Sequence, residues 1–355
     1  MRRIKNRDRF FSFFIVLLLG FPLYASAGLL DLLSAYRSGS TSTSTTTTPS
    51  TTSSTSTQTV TYTPSNWPQA LQGDLFLPPQ DGKADPVVLL LHGGAWQRGD
   101  KSSYSGLGKT LASRGYAAFA INYRFAPGST HPAQLQDMQQ ALRYLVAHAA
   151  ELGIDVSRLA TWGYSAGGHL AALLAVQPAS DLPPVRVVLA GAPPSDLTAP
   201  EARDEASVKI FMGGSYSQIP ALYEQASPAH QVRTGMAPVF LYHGTADTTV
   251  PPLQSENFAR TLQAAGVPVE VVWLQGLDHS QASGATSQYR DKALAFLDRH
   301  INADAGGLSP TTPVPTDPVV TAPVVTAPST GSTAGSTTTT TSGSLSTRLR
   351  SFFSR

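Results

Sequence analysis

The sequence predicts an α/β fold with a mostly parallel central sheet that is covered by helices on both faces. Short apolar segments rich in Val, Leu and Ala alternate with segments of helical periodicity through the middle of the 355-residue chain. This alternation is typical of parallel sheets, because each connection between parallel strands crosses the sheet through a helix. Polar motifs follow several of the apolar segments, which is where open α/β sheets bind their ligands.

Six segments have the length and composition of buried strands. They are Val87–Leu91, Ala117–Ile121, Leu159–Trp162, Arg186–Ala190, Val239–Tyr242 and Val267–Trp273. Five segments have helical spacing of apolar residues, namely Leu107–Arg114, Ala133–Ala150, Ala166–Val176, Leu253–Ala265 and Gln288–Asn302. Residues 69–77 are expected to add an antiparallel edge hairpin. Residues 193–232 interrupt the alternation and are expected to form a small cap insertion.

The first 27 residues have the layout of a secretory signal peptide. A basic start is followed by a short apolar run and then by the small-residue sequence Ala25-Ser26-Ala27. We therefore expect an exported protein that is periplasmic, secreted or attached to the cell surface. The chain has no cysteine, which excludes disulfides and thiolate chemistry and leaves an ordinary hydrophobic core to stabilise the fold.

Two segments of low complexity flank the predicted catalytic domain at residues 64–303. Residues 28–63 contain a short apolar island and a Ser/Thr-rich linker, and residues 304–355 form a Pro/Thr/Ser-rich tail with a basic-aromatic end. Such compositions bury too little apolar surface to offset the entropy of ordering, so both are expected to be disordered. The two terminal islands are candidates for weak contact with a membrane or cell surface, and frayed chain ends are the alternative.

The net charge of the chain does not indicate a macromolecular partner of opposite charge. The formal net charge is only +2, and no basic stripe of the kind that binds nucleic acid is present. Nucleic acid is therefore excluded as a partner, and no metal or cofactor is expected.

The pentapeptide Gly163-Tyr164-Ser165-Ala166-Gly167 lies between a predicted strand and a predicted helix. This is the position of a sharp turn that exposes a serine hydroxyl as a nucleophile. The pattern also arises by chance, so it indicates a function only if the chain supplies the groups that activate a serine.

The segment His92-Gly93-Gly94-Ala95-Trp96 directly follows the predicted strand Val87–Leu91. Residues with little or no side chain let a loop present its backbone N–H groups to a developing oxyanion. Backbone amides of this loop, together with that of Ala166 after the serine, are the predicted oxyanion donors. We expect His92 to brace this loop rather than to act as a base.

An acid and a base are expected after the serine, in that order. Asp247 follows the predicted strand Val239–Tyr242, and His279 follows Val267–Trp273. We predict that His279 takes the proton of the Ser165 hydroxyl and that Asp247 orients the imidazole. His169 is expected to pack inside the protein, and Asp278 adjoins His279 too closely in sequence to orient its ring.

These motifs, with Asn122–Pro127, Phe211–Gly214 and Ala226–Pro228, resemble α/β-hydrolase esterases of the hormone-sensitive-lipase and bacterial feruloyl-esterase-like type. The resemblance spans Asn66 to Ile301. It implies the α/β-hydrolase fold, a catalytic triad of Ser165, Asp247 and His279, and an oxyanion hole at Gly93, Gly94, Ala95 and Ala166. Ala95 departs from the family pattern, in which a third glycine is common.

The resemblance implies an exported carboxylesterase without a cofactor that acts on small-molecule or polysaccharide-linked esters. Its acyl groups are expected to be short or aromatic, such as acetyl or feruloyl. One alternative is a serine peptidase of the prolyl-oligopeptidase type, which shares the fold and the order of the triad. The other is a surface-attached interaction protein on a hydrolase fold.

Overall fold

The computed structural model describes residues 54–303, which form an eight-stranded sheet with helices packed against it. The strands are β1 (Ser56–Thr61), β2 (Gln72–Leu77), β3 (Asp85–Leu91), β4 (Ala117–Ile121), β5 (Ile154–Tyr164), β6 (Val187–Gly191), β7 (Val239–Gly244) and β8 (Val269–Leu274). The α-helices are α1 (Ser105–Ala112), α2 (Ala133–Ala147), α3 (Ala149–Leu152), α4 (Ala166–Val176), α5 (Pro200–Arg203), α6 (Ala206–Met212), α7 (Pro220–Gln225), α8 (Leu253–Ala264), α9 (His279–Gly284) and α10 (Thr286–Ile301). The predicted signal peptide, the apolar island, most of the linker and the tail lie outside the described residues.

The order of the strands across the sheet is β1-β2-β4-β3-β5-β6-β7-β8. The six strands β3 to β8 are parallel to one another, and β1 and β2 pair in antiparallel fashion at one edge. The chain leaves β3 towards β4 on one side, and β5 returns on the other side of β3. Such a reversal opens a crevice at the carboxyl ends of the two central strands. The predicted oxyanion loop follows β3 and Ser165 follows β5, so the topology brings the two motifs together.

The antiparallel edge begins earlier than predicted, and the linker boundary at residue 63 is wrong. β1 occupies Ser56–Thr61, which the Ser/Thr-rich composition had assigned to the disordered linker. Its residues are mostly exposed, so burial does not explain its order. Instead, each residue of β1 pairs with one of β2, and Thr and Val favour extended backbone.

The predicted parallel strands and major helices are present, with some ends shifted. β5 begins at Ile154 instead of Leu159, because its first residues pair with β3 before an irregularity at Pro86. The helix predicted to reach Ala150 is divided into α2 and α3. Gly153 then ends α3 with a φ of 64°, a left-handed conformation that glycine adopts without strain.

The sheet separates two hydrophobic layers. One contains apolar side chains of α2, α4 and α8, and the other contains those of α1 and α10. All eleven residues of α4 are buried, which fits its composition of Ala, Leu, Gly and Val with one histidine. The helix that follows the serine is therefore a fixed part of the core.

The predicted cap at residues 193–232 contains α5, α6, α7 and a 3-10 helix at Pro228–Gln231. Gly213, with a φ of 77°, ends α6. Among the helices of residues 54–303, none has both the length and the hydropathy needed to cross a bilayer.

Candidate active site

Ser165 lies at a strained turn between β5 and α4. Its φ of 56° and ψ of −125° are rare for a residue with a side chain. The turn is held on both sides, since the Ser165 N–H donates to the Gly191 carbonyl at 2.8 Å and its carbonyl accepts from the His169 N–H at 2.9 Å. Strain of this kind persists only where the surroundings enforce it, and it is common at reactive residues.

Gly167 permits the helix to pack directly against the neighbouring strand. A Cβ atom at this position would lie 1.9 Å from the Leu91 carbonyl oxygen. Gly93 likewise packs against the turn, since a Cβ there would lie 2.9 Å from the Tyr164 carbonyl and 3.4 Å from the Ser165 Cβ. The loop after β3 and the serine turn are therefore in close contact through residues without side chains.

The loop after β3 turns through three consecutive residues of positive φ. These are Gly94 at 118°, Ala95 at 55° and Trp96 at 58°. The Gly94 carbonyl points away into the loop and accepts from the Gln97 and Arg98 amides at 3.1 and 3.2 Å. Ala95 and Ala166 both line the same cleft as Ser165, whereas Gly93 packs against the serine turn and Gly94 packs against Arg98.

His92 braces the start of this loop, as expected. Its Nδ1 lies 2.8 Å from the Gly93 carbonyl oxygen, and its ring stacks on Tyr123 with centroids 4.3 Å apart. The Tyr123 hydroxyl in turn donates to the His92 carbonyl at 2.7 Å. Burial lowers the pKa of His92, which keeps the ring neutral.

Asp247 is buried in the loop after β7, with hydrogen-bond donors at both carboxylate oxygens. Its Oδ1 accepts from the amides of Thr249 and Val250, each at 2.9 Å. Its Oδ2 lies 2.6 Å from His279 Nδ1 and 3.2 Å from His243 Nε2. Burial alone raises the pKa of Asp247, but the hydrogen bonds from His243, His279 and Val250 outweigh it and hold the pKa well below its usual value.

His279 is the first residue of α9, and three contacts fix its position. Asp278 caps the helix by accepting from the Gln281 N–H at 2.8 Å, and the Gln281 side chain accepts from the Asp278 N–H at 3.1 Å. The Tyr164 hydroxyl donates to the His279 carbonyl at 2.7 Å. Asp278 is thus a capping residue, and Asp247 is the carboxylate that contacts the imidazole.

Ser165 and His279 are brought to the same end of the sheet but are not hydrogen-bonded to each other. The Tyr164 and His279 rings lie 5.1 Å apart, so the residue before the serine contacts the histidine directly. Within residues 54–303, no hydrogen bond joins the Ser165 hydroxyl to the imidazole. Catalytic contacts are often long in free enzymes and shorten when substrate binds.

His169 packs inside the protein, as the sequence suggested. Its Nδ1 accepts from Trp96 Nε1 at 3.2 Å, and its Nε2 donates to the Ala226 carbonyl at 2.7 Å. Burial lowers its pKa to about 3, although the bond to Ala226 opposes this shift. The ring is therefore neutral, and it supports Trp96, whose indole also stacks on Phe211 at 4.3 Å.

The serine lies in a cleft that is open to solvent. The lining residues come from the two loops, the cap and the loop after Asp247: Ala95, Trp96, Ser165, Ala166, Pro194, Glu201, Ala202, Glu205, Ser207, Val208, Thr249, Val250, Pro251 and Gln254. Two carboxylates and no lysine, arginine or histidine are among them. The sequence predicted the cap but not that Trp96 and the two glutamates line the cleft: Trp96 belongs to the motif after β3, whereas no motif marks the glutamates.

Residues 73–262, which are more than half of the chain, match the BD-FAE family. Among curated proteins, this chain resembles the esterase LipQ of Mycobacterium tuberculosis, with 31% identity over 65% of this chain and 60% of LipQ. The carboxylesterase NlhH of the same organism is 30% identical over 67% of this chain and 77% of its own length. An ethyl acetate hydrolase of Pseudomonas putida is 31% identical over 63% of this chain and 75% of its own. The chain thus spans less than two-thirds of LipQ but most of the other two.

Among solved structures, the fold resembles a thermophilic esterase from the Planctomycetes species Thermogutta terrifontis. The TM-score is 0.58 with 25% identity, and the match covers 68% of this chain and 90% of that one. The same esterase has also been solved phosphonylated by sarin. These likenesses confirm the predicted α/β-hydrolase fold.

Proposed function

The chain belongs to the BD-FAE family and is a carboxylesterase, and we propose that it works through an acyl-serine intermediate at Ser165. The main support is the contact of 2.6 Å between Asp247 Oδ2 and His279 Nδ1, beside a strained serine that opens into a cleft. An ionised carboxylate at Nδ1 requires that nitrogen to carry the hydrogen. Nε2 of His279 is then an acceptor, which is the form that a general base needs.

In the first half of the reaction, Ser165 Oγ attacks the ester carbonyl carbon and His279 Nε2 takes the hydroxyl proton. The carbonyl oxygen becomes an oxyanion, which accepts hydrogen bonds from the backbone amides of Ala95 and Ala166, with Gly93 and Gly94 as the other predicted donors. Collapse of this intermediate breaks the bond to the alcohol, which leaves with the proton from His279. Asp247 stabilises the transient imidazolium.

In the second half, water replaces the alcohol. His279 takes a proton from the water as its oxygen attacks the acyl-serine, and the same amides bind the second oxyanion. The carboxylic acid leaves, and the proton returns from His279 to Ser165 Oγ. The cycle consumes one ester and one water and needs no external electron donor or acceptor.

We propose small uncharged esters as substrates, with short acyl groups preferred and aromatic ones such as feruloyl as the alternative. The cleft is lined mainly by apolar groups. The relative from P. putida is named for an acetate ester. Glu201 and Glu205 disfavour an anionic substrate, because the lining offers no cation to pair with it. An acetylated or feruloylated polysaccharide fits the same requirement.

We also propose that the protein acts outside the cytoplasm, on the basis of the signal-like segment at residues 1–27, and that its terminal islands contact a membrane or cell surface weakly. Determining the amino-terminal sequence of the protein recovered from its native host tests the first point. A mature protein that begins near residue 28 supports export, and an intact amino terminus contradicts cleavage.

The serine mechanism is tested by Ser165→Ala, with Ser113→Ala as the matched control. Ser113 is exposed at the end of α1, away from the cleft. A fluorophosphonate probe should label the wild type and the control but not Ser165→Ala, and hydrolysis of p-nitrophenyl acetate should follow the same pattern. Full activity or labelling in Ser165→Ala would disprove the proposal. Faster cleavage of aminoacyl amides than of acyl esters would favour the peptidase.

A further inference from the structure

His243, near the end of β7, takes no part in the proposed reaction but lies fully buried against the acid of the triad. Its Nε2 lies 3.2 Å from Asp247 Oδ2 and 2.8 Å from the Val250 carbonyl oxygen. Its Nδ1 lies 2.7 Å from the Ser255 hydroxyl, on α8. Every polar atom of the ring therefore has a partner.

The identity of these partners determines where the ring carries its hydrogen. A carboxylate oxygen and a carbonyl oxygen can only accept, so Nε2 must be the N–H donor. In the neutral ring, Nδ1 then has a lone pair that accepts from the Ser255 hydroxyl. The Ser255 hydroxyl can donate or accept, so it is compatible with this tautomer and helps to orient the ring.

Two imidazole rings lie against the same carboxylate oxygen. Asp247 Oδ2 accepts from His279 at 2.6 Å and lies 3.2 Å from His243 Nε2, whose N–H is shared with the Val250 carbonyl at 2.8 Å, while Oδ1 accepts from two backbone amides. Without His243, the only side chain in contact with Oδ2 would be His279, which is the residue that Asp247 orients. We propose that His243 is a positioning residue of the esterase, which holds Asp247 Oδ2 in place for His279 and depends on Ser255 for its own orientation. This inference rests on the proposed triad.

Loss of this donor should weaken catalysis without weakening substrate binding. Removing a hydrogen bond to a charged group is expected to lower kcat about 10- to 100-fold. KM should change little, because His243 is not among the residues that line the cleft. A residue that only supports folding would lower the amount of active enzyme, not the kcat of the folded fraction.

The test compares His243→Asn with His243→Gln. The glutamine amide nitrogen can occupy the place of Nε2 and donate to both Asp247 and the Val250 carbonyl, whereas the shorter asparagine reaches only the place of Nδ1. We therefore expect His243→Gln to recover most of the kcat that His243→Asn loses. His131→Asn is the matched control, because His131 is also buried but has no hydrogen-bond partner for its ring. Fluorophosphonate titration counts the folded sites in each preparation.

Ser255→Ala provides a milder second variant, which decides the question if His243→Asn does not fold. It should lower kcat several-fold at unchanged KM. Unchanged kcat per titrated site in His243→Asn, or in Ser255→Ala when the first variant is insoluble, overturns the inference. Equal losses in His243→Asn and His243→Gln overturn it as well. An active Ser165→Ala would instead refute the proposed function, so the two failures are distinguishable.

Discussion

Replacing Asp247 by asparagine should disable the enzyme while leaving its shape unchanged. The carboxylate accepts two backbone hydrogen bonds at Oδ1 and one from His279 at Oδ2, and His243 Nε2 lies 3.2 Å from the same Oδ2. An amide has only one accepting oxygen, so its NH₂ group must face one pair of donors. The backbone amides can only donate hydrogen bonds, so the oxygen of the asparagine side chain should face them.

The NH₂ group would then face His279 Nδ1, which could avoid a clash of two donors only by giving up its hydrogen. The hydrogen would move to Nε2, and the imidazole would present a donor instead of an acceptor to Ser165. A wrong tautomer of this kind costs about 10⁴-fold in kcat in a serine protease triad. That factor corresponds to about 5 kcal/mol of lost transition-state stabilisation.

The assay is steady-state hydrolysis of p-nitrophenyl acetate, with circular dichroism to verify the fold. Asp247→Asn should retain KM within a few-fold and lose nearly all kcat. Asp278→Asn is the matched control, because an asparagine caps a helix about as well as an aspartate, and it should remain active. A loss of less than 10-fold in Asp247→Asn, or an equal loss in the control, would refute the assignment of the triad acid.

The remaining predictions concern the histidine support, the cleft and acid stability. Tyr164→Phe removes the hydroxyl that donates to the His279 carbonyl at 2.7 Å, so kcat should fall several-fold with little change in the melting temperature; unchanged kcat would show that α9 holds the histidine alone. Glu205→Gln should raise kcat/KM for monomethyl succinate relative to methyl butyrate a few-fold, and added salt should diminish the gain; an unchanged ratio would place the glutamate too far from the bound acyl group. Burial lowers the pKa of His131 to about 4. Because an unfolded histidine has a pKa of about 6.5, the unfolded chain binds this proton more readily, and the associated stability is complete above pH 6.5 and lost as the pH falls towards 4. His131→Phe should therefore flatten the decline in melting temperature between pH 7 and 4.5, whereas a parallel decline would assign it to other groups.

The sequence was sufficient to predict the parallel part of the fold, because buried strands and amphipathic helices have distinct periods. The segment at Ser56–Thr61 could not be recognised in this way, since its order comes from pairing with β2 and not from apolar residues. Its Ser/Thr composition is shared with the linker before it. An edge strand of this kind can be predicted only when its partner strand is known.

Ser165, Asp247 and His279 could be predicted because they occur in the expected order along the chain and each follows a predicted strand. The supporting residues were not predicted because their roles arise from side-chain directions. The sequence assigned no role to His243, yet its ring contacts the acid. The glutamates of the cap face the cleft only because α5 and α6 fold over it, and residues 193–232 have no periodic pattern from which such packing can be inferred.

The order of the strands also explains why Tyr164 and Gly244 are needed. Ser165 follows β5 and His279 follows β8, and three strand spacings separate these strands, or about 14 Å. The loop before α9 must therefore lean back across the end of β7. Gly244 permits this crossing, because a Cβ there would lie 2.3 Å from the Leu277 carbonyl oxygen. The Tyr164 hydroxyl then holds the loop from the side of β5. A side chain at residue 244 would thus displace the loop before α9 and move His279 away from the serine, although residue 244 contacts neither reactive atom.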